Sequence, residues 1–271
     1  MLIRPLLASF GAEVVGFDLE RITPAGRRQL VRGLHERLLL VFRDQILSYD
    51  DQVALTSIFG EVDERVLPRD APFRLRDDRR IQVVRHDLGA PGVTRSTVFW
   101  HTDQSFKPDP SPVIVLKAVV VPSPCSATMF ANMRGAYEAL PPKRKAVLEP
   151  LAARHCFGAL LGASGLTAPR DGATVHPLVR EHHVTGRRSL YLNQFSIDSI
   201  VGLPKRKGVQ LLASLYAHAL KPEFIYAHAW RPGDVLVWDN LSLMHRAEDT
   251  SVSARVLHRT HTRWHGTPGR G

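Results

Sequence analysis

The chain has 271 residues, 44% of them hydrophobic and 23% charged, with a formal net charge of +10 at pH 7. This composition supplies an apolar core and excludes a disordered chain, a coiled coil and a collagen-like repeat, while only two cysteines exclude a disulfide scaffold and indicate a reducing compartment. The 36 Lys and Arg are scattered among 26 Asp and Glu without a recognisable nucleic-acid-binding module, so the charge favours a small anionic ligand over nucleic acid.

The N-terminal third alternates between helices and short strands. Thr23 followed by Pro24 is typical of a helix N-terminus, and Ser48 with Asp51 three residues later resembles a capping box. Because Glu61–Asp78 is dense in charge and proline, it predicts a long loop. The predicted elements are strands at Glu13–Leu19, Leu39–Phe42 and Ile81–Arg85, and helices from Pro24 to Leu38 and from Ser48 to Gly60.

The rest of the chain is mainly a series of strands. β-Branched or aromatic runs between turn residues predict strands at Val98–His101, Pro112–Val121, Thr128–Ala131, Thr174–Val179, Ser189–Asn193, Asp234–Trp238, Leu241–His245 and Arg255–Trp264. Helices are predicted at Met133–Leu140, Pro142–Glu149 and Pro204–Leu220, and the Gly- and Ala-rich Gly158–Gly172 predicts a mobile segment. Many short strands with a few helices predict an α+β fold on a jelly-roll-like β core. Because no linker divides the chain, we expect residues 1–271 to form a single domain.

The N-terminus lacks the pattern of a signal peptide, because Glu13 and Asp18 interrupt the apolar run that follows Arg4. No run approaches the length of about 18 apolar residues that a membrane span needs. We therefore expect a cytoplasmic protein without a membrane partner. The sequence leaves open whether the chain forms a homo-oligomer.

His101-Thr102-Asp103 is the first candidate for chemistry. On a strand, residues two apart point to the same side, so the imidazole and the carboxylate would meet at one point, as metal ligands do. A His-x-Asp is expected about once by chance in a chain of this composition, so a further ligand is needed. His245, which ends the apolar run from Trp238, is the expected third ligand.

Two histidines and one carboxylate form the facial triad of non-haem Fe(II) oxygenases, which leaves coordination positions open for reactants. The same side chains also suit a hydrolytic zinc site, in which a water completes the coordination. The ligand types alone leave both alternatives open, together with that of a basic binding protein without catalysis.

Arg255 and Arg259 would share one face of the last predicted strand with Leu257. Two guanidiniums would then point toward His245, where each could bind a carboxylate through two parallel hydrogen bonds. On residue types alone, two surface arginines of an Arg-rich chain are the simpler explanation.

Longer segments of the sequence favour a functional role for these two arginines. They are Trp100–Asp103, Ser126–Arg134, Tyr137–Leu140, His176–Val179 and the stretch from Trp238 through Ala247 to Arg255, preceded by Gly11–Leu19, Phe42–Gln45 and Phe59–Glu61. In this order they resemble the TauD/TfdA (taurine dioxygenase) family of Fe(II)- and 2-oxoglutarate-dependent dioxygenases. The resemblance covers nearly the whole chain.

The resemblance implies a double-stranded β-helix core with flanking helices, and the use of Fe(II), 2-oxoglutarate and O2. It implies that His101, Asp103 and His245 bind the iron. It also implies that Thr128 and Arg255 hold the distal carboxylate of 2-oxoglutarate. A zinc hydrolase would leave Arg255 and Thr128 without a role.

The resemblance further implies a small anionic organic substrate: a sulfonate, a sulfate ester, an aryloxyalkanoate or another carboxylate. Arg259 matches a position that meets the anionic head of the substrate in the taurine enzyme, and Thr97 stands where that enzyme carries Asn, so both are expected at the substrate. Phe59-Gly60-Glu61 continues from Val62 to Arg65 without the substrate-binding His of the taurine enzyme, so taurine itself is not expected. The implied reaction is hydroxylation, with C–S or C–O cleavage where the oxidised carbon carries the heteroatom.

Overall fold

The part of the chain that the structure describes is a mixed α/β arrangement of one large and three small sheets. The computed structural model describes residues 1–64, 78–86, 98–121, 127–159, 173–248 and 255–263. Its strands are β1 (Leu2–Pro5), β2 (Ala12–Val15), β3 (Leu39–Phe42), β4 (Gln82–His86), β5 (Val113–Val120), β6 (Thr128–Asn132), β7 (Ala152–His155), β8 (Thr174–Pro177), β9 (Val179–Glu181), β10 (Arg188–Leu190), β11 (Ile197–Ile200), β12 (Ile225–His228), β13 (Val235–Asp239), β14 (Leu243–Ala247) and β15 (Arg255–His261). Its helices are α1 (Pro24–Arg37), α2 (Tyr49–Ser57), α3 (Met133–Glu138), α4 (Pro142–Leu148) and α5 (Lys205–Ala219), with a 3₁₀ turn at Pro222–Phe224.

The large sheet contains seven strands in the order β1-β2-β3-β13-β5-β15-β4. Its pairs are antiparallel except β2 with β3. A three-stranded antiparallel sheet has the order β12-β6-β14. The remaining sheets are β11-β7-β8 and β10-β9.

Alternating side chains of the large sheet pack on both of its faces. On one face, Leu40, Val115 and Val237 pack with Leu30 and Leu34 of α1 in a buried apolar cluster. On the other face, another buried apolar cluster joins the large sheet to the three-stranded sheet. The large sheet contributes Val41, Leu116, Leu236, Trp238 and Leu257, and the three-stranded sheet contributes Phe130 and Leu243. Because β3 and β13 are buried on both faces, they read in the sequence as continuous apolar runs rather than alternating ones.

The helix N-termini of the first third follow the predicted chemistry. The Thr23 side chain accepts from Gly26 N at 3.1 Å, and Ser48 and Asp51 form the reciprocal bonds of a capping box. α2 ends at Ser57, before Gly60, and the strand predicted at Glu13–Leu19 ends at Val15 because Gly16 turns with a φ of 69°.

The structure differs from several predicted strands. Val98–His101 is not a strand; His101 makes only an isolated bridge to His245. Thr174–Val179 divides into β8 and β9, which pair in different sheets. The strand predicted at Leu241–His245 begins at Leu243, because the Asp239 carboxylate accepts the backbone N–H groups of Leu241 and Ser242 and holds them in a turn. Most of the predicted segments Glu61–Asp78 and Gly158–Gly172 lies outside the described residues.

Among the described residues, no helix combines the length and the apolar character that crossing a membrane would require.

His155 is an unusual core residue, because it is fully buried and neither ring nitrogen has a hydrogen-bond partner among the described residues. Its ring packs against those of His176 and Tyr191, at centroid distances of 5.2 and 5.4 Å. Burial lowers the pKa of His155 from 6.5 to about 3, and the positive charge of Arg180 acts in the same direction. The folded protein therefore holds this imidazole neutral at pH values where the unfolded chain would protonate it.

We predict that His155 makes the protein less stable as the pH falls below 6.5. Since the unfolded state takes up the proton and the folded state does not, this one residue should cost about 2 kcal/mol at pH 5 relative to pH 7.5. Urea denaturation at both pH values should show that His155→Phe loses about that much less stability than the wild type on acidification. The same loss in both proteins would contradict the prediction.

Candidate active site

Three potential metal ligands meet between the large sheet and the three-stranded sheet. His101 and Asp103 lie before β5, His245 lies in β14, and one ligand atom from each falls within 4.8 Å of the others. His101 Nε2 is 3.7 Å from Asp103 Oδ1, and His245 Nε2 is 4.0 Å from Asp103 Oδ2. The two histidines are joined by backbone bonds, His101 N to His245 O at 3.0 Å and His245 N to His101 O at 2.8 Å. This bridge brings together ligands that are far apart in the sequence.

Each imidazole is oriented by a different means. His101 Nδ1 lies 2.7 Å from the carbonyl oxygen of Phe99, so it donates there and leaves the Nε2 lone pair directed at Asp103. The ring of His245 instead packs against Trp238 and Phe130, at centroid distances of 5.0 and 6.2 Å. Burial lowers the pKa of both histidines, so both rings are neutral at pH 7, as metal ligands must be.

Asp103 is the one negative charge of this cluster, and it is paired with Arg259. Arg259 Nη1 donates to Asp103 Oδ2, while its Nε and Nη2 donate to Gln82 Oε1 at 2.9 and 2.7 Å. Burial alone would raise the pKa of Asp103, but the charge of Arg259 outweighs it and holds the carboxyl ionised, with its pKa well below the usual range. The site therefore presents an anionic oxygen between two neutral imidazoles.

One face of β15 lines the site, as the alternation predicts. Arg259 reaches Asp103, Leu257 packs in the cluster between the sheets, and Arg255 is buried on the same face. His261 continues this face: its Nε2 lies 3.9 Å from Asp103 Oδ2 and its side chain is 2% exposed. Burial lowers the pKa of His261 to about 3, and the charge of Arg259 adds to that effect.

The residues predicted to bind the co-substrate form a second cluster with Trp230. The Trp230 indole N–H donates to Thr128 Oγ1 at 2.9 Å, and the Arg255 guanidinium lies over the Trp230 ring, 5.6 Å from its centroid. Because the Thr128 oxygen already accepts a hydrogen bond, its own proton is left to donate to a ligand. The three residues therefore offer a charged fork and a hydroxyl donor on one buried surface.

Sequence reasoning missed Trp230, Gln82 and His261 at this site. His261 could have been found by extending the alternation of Arg255 and Arg259 by two residues, whereas nothing in the sequence connects Trp230 with Thr128. Asp103 supplies Arg259 with a counter-charge that the sequence argument sought in a substrate, so the substrate role of Arg259 stays a prediction. Thr97, predicted at the substrate, lies outside the described residues.

Comparisons with known proteins are consistent along the chain. Residues 2–261 match the family model described as taurine catabolism dioxygenase TauD, TfdA family. The α-ketoglutarate-dependent 2,4-dichlorophenoxyacetate dioxygenase of Cupriavidus pinatubonensis is 34% identical, covering 93% of each chain. The (S)-phenoxypropionate/α-ketoglutarate dioxygenase of Sphingobium herbicidovorans is also 34% identical, covering 98% of this chain and 95% of its own. The crystal structure of AAD-2 in complex with Mn(II) and N-oxalylglycine superposes with a TM-score of 0.84 at 30% identity, covering 99% of both chains.

We predict that His101→Ala, Asp103→Ala and His245→Ala each abolish high-affinity binding of a divalent cation. Loss of one ligand from a three-ligand site removes a bond that the remaining groups cannot replace. Titration of each variant with Mn(II), followed by the electron paramagnetic resonance of the free ion, measures the effect. His258→Ala is the matched control, because that side chain lies on the opposite face of β15, against Tyr49. Wild-type affinity in any of the three variants would remove that residue from the site.

Proposed function

The chain belongs to the TauD/TfdA family of dioxygenases, and from this premise we propose that it uses Fe(II) and 2-oxoglutarate to oxidise a small anionic organic substrate. The observation that carries the proposal is the face of β15, which presents Arg255 to the Thr128 and Trp230 cluster and Arg259 to the His101, Asp103 and His245 cluster. One strand thus links a carboxylate-binding surface with a metal-binding one.

The donor set of His101, Asp103 and His245 fits Fe(II). Two neutral imidazole nitrogens and one ionised carboxylate oxygen within 4.8 Å of one another are the ligands of a facial triad. Arg259 bonds to Asp103 Oδ2, which leaves Oδ1, on the side of His101, for a metal ion. When bound, Fe(II) would activate O2 and couple decarboxylation of 2-oxoglutarate, giving succinate and CO2, to hydroxylation of a substrate C–H bond.

In the proposed site, Arg255 and Thr128 bind the distal carboxylate of 2-oxoglutarate. The planar guanidinium can form two parallel hydrogen bonds to a carboxylate, and stacking on Trp230 fixes the plane in which they are made. The Thr128 proton would supply a third bond. Both groups orient the co-substrate so that its keto-acid end reaches the metal ligands.

Arg259 and Thr97 are the proposed substrate-binding residues. Arg259 lies four residues beyond Arg255, about 13 Å along the strand, so a single 2-oxoglutarate carboxylate would not occupy both. A cation bound to Asp103 would neutralise part of the negative charge that pairs with Arg259. A substrate anion could then supply the counter-charge that Arg259 lacks. Since the two 34% identical relatives are named for aryloxyalkanoates, we place an aryloxyalkanoate or a similar carboxylate first, ahead of sulfonates and sulfate esters.

We also propose how the β core is built. The large sheet and the β12-β6-β14 sheet, joined by one apolar cluster, would form the double-stranded β-helix of a jelly roll within a single domain.

A zinc hydrolase is not favoured, because hydrolysis gives no role to the cluster of Arg255, Trp230 and Thr128.

We predict that Arg255→Ala raises the apparent KM for 2-oxoglutarate by about 150-fold to several thousand-fold. A buried carboxylate left without its charged partner costs about 3–5 kcal/mol. Succinate formation, measured against 2-oxoglutarate at saturating substrate, gives the KM directly. An unchanged KM would show that Arg255 does not bind the co-substrate.

We also predict that the enzyme distinguishes an aryloxyacetate from its uncharged methyl ester through Arg259. The ratio of kcat/KM for acid over ester should fall about 10- to 100-fold in Arg259→Gln, since a hydrogen bond to a charged group contributes about 1.5–3 kcal/mol. Any effect of the substitution on Asp103 would lower both rates alike and cancel in the ratio.

A succinate-release screen over aryloxyalkanoates, sulfonates, alkyl sulfates and amino acids tests the proposed function as a whole. Release that depends on Fe(II), 2-oxoglutarate and an anionic substrate is the expected outcome. A preference for uncharged substrates would remove the role of Arg259, and a screen without any succinate would reject the proposed function.

A further inference from the structure

The segment that carries His101 and Asp103 is held by side-chain amides rather than by a β-ladder. Within the part of the chain that the structure describes, its only strand-like pairing is the bridge between His101 and His245. The backbone polar groups of Trp100, Thr102 and Asp103 are buried beside it and need other partners. Three amides supply them: Asn193, Gln194 and Asn240, which we name the amide clamp.

Asn193 and Gln194 follow β10 and hold the first part of the segment. Gln194 Oε1 accepts from Trp100 N at 3.1 Å, and Gln194 N donates to Trp100 O at 2.9 Å. Asn193 Nδ2 donates to Thr102 O at 2.9 Å and to Ser105 Oγ at 2.8 Å.

Asn240, in the turn between β13 and β14, holds the ligand Asp103 itself. Its Oδ1 accepts from Asp103 N at 2.9 Å, and its Nδ2 donates to Asp103 O at 3.0 Å and to Ser111 O at 2.8 Å. The residue is fully buried, so these bonds are not exchanged with solvent. Asn240 also lies five residues before His245, so one turn fixes Asp103 and leads directly into the strand of the third ligand.

The two turns that carry the clamp are themselves fixed by hydrogen bonds. Asn193 Oδ1 accepts from the backbone of Phe195 and Ser196, at 3.0 and 2.9 Å. Beside Asn240, the Asp239 carboxylate accepts from the backbone of Leu241 and Ser242 and lies 3.1 Å from His182 Nε2. The Asn193 amide is thereby held at both its nitrogen and its oxygen.

We infer that Asn193, Gln194 and Asn240 are positioning residues, which act through the backbone of residues 100–103 to set the direction of the His101 and Asp103 side chains. The inference rests on the proposed function, in which these side chains bind a divalent cation. A metal site tolerates errors of only about 0.5 Å in its ligands, and partners outside the ligand set typically contribute 10- to 100-fold in metal affinity. A ligand segment without ladder bonds depends on such partners for its geometry.

Gln194 offers the sharpest test, because it is only partly buried and its matched substitutions should fold. Gln194→Met removes the acceptor for Trp100 N, whereas Gln194→Glu retains one. We expect the dissociation constant for Mn(II) to rise about 10-fold in Gln194→Met and to stay within about twofold of wild type in Gln194→Glu. The visible spectrum of bound Co(II), which reports ligand geometry, should change in the first variant only.

Asn240→Leu removes three bonds at once and should weaken Mn(II) binding about 10- to 100-fold. Its matched control is Gln52→Leu. Gln52 is also a fully buried amide, but it bonds to His258 O at 3.0 Å, behind β15 and away from the ligands. Gln52→Leu should lower the melting temperature without altering the Co(II) spectrum or the Mn(II) affinity.

The outcomes separate this inference from the proposed function. If the wild type binds Mn(II), but Gln194→Met and Asn240→Leu bind it equally tightly with an unchanged Co(II) spectrum, the clamp is merely structural and the inference is wrong. The inference also fails if Gln52→Leu weakens binding as much as Asn240→Leu does. A wild-type protein that binds no Mn(II) overturns the proposed function, and the clamp role with it.

Discussion

The ion pair between Asp103 and Arg259 is the interaction on which the site depends. A carboxylate placed between two sheets would be driven toward its neutral form by burial, and a neutral carboxyl is a poor metal ligand. Arg259 prevents this, because its guanidinium bonds directly to Asp103 and is held in place by Gln82 on the neighbouring strand. The charge of the candidate metal site is therefore set by β15, a strand that contributes none of the three ligands.

β15 also brings the two proposed binding surfaces together on one strand. Its inward face presents Arg255, Leu257, Arg259 and His261 in succession, and its outward face bonds to α2 through Gln52 and Thr56. The strand is thus held by α2 on its outward side and is paired with β4 and β5 in the large sheet. A rigid strand holds the two arginines at a constant separation, which suits a reaction in which two anions must lie in a fixed relation to one metal ion.

The sequence was sufficient for those parts of the molecule that local chemistry determines. Patterns of a few residues were enough to predict the capping residues Thr23 and Ser48, the doubly buried strands β3 and β13, and the alternation along β15. It was not sufficient where distant segments decide the structure. His101 lies on no strand because side-chain amides and the bridge to His245 replace a ladder, and the partners Trp230, Gln82 and Asn240 come from elsewhere in the chain. Such contacts have no local signal in a single sequence.

In the proposed function, one site binds Fe(II) and 2-oxoglutarate together. Anaerobic addition of Fe(II) to the protein, followed by 2-oxoglutarate, tests it most directly, because chelation of the metal by the keto acid produces a weak charge-transfer absorption in the visible region. This band should appear only when both are present, and it should saturate at one equivalent of Fe(II) per chain. A protein that shows no such band with both reactants present would contradict it.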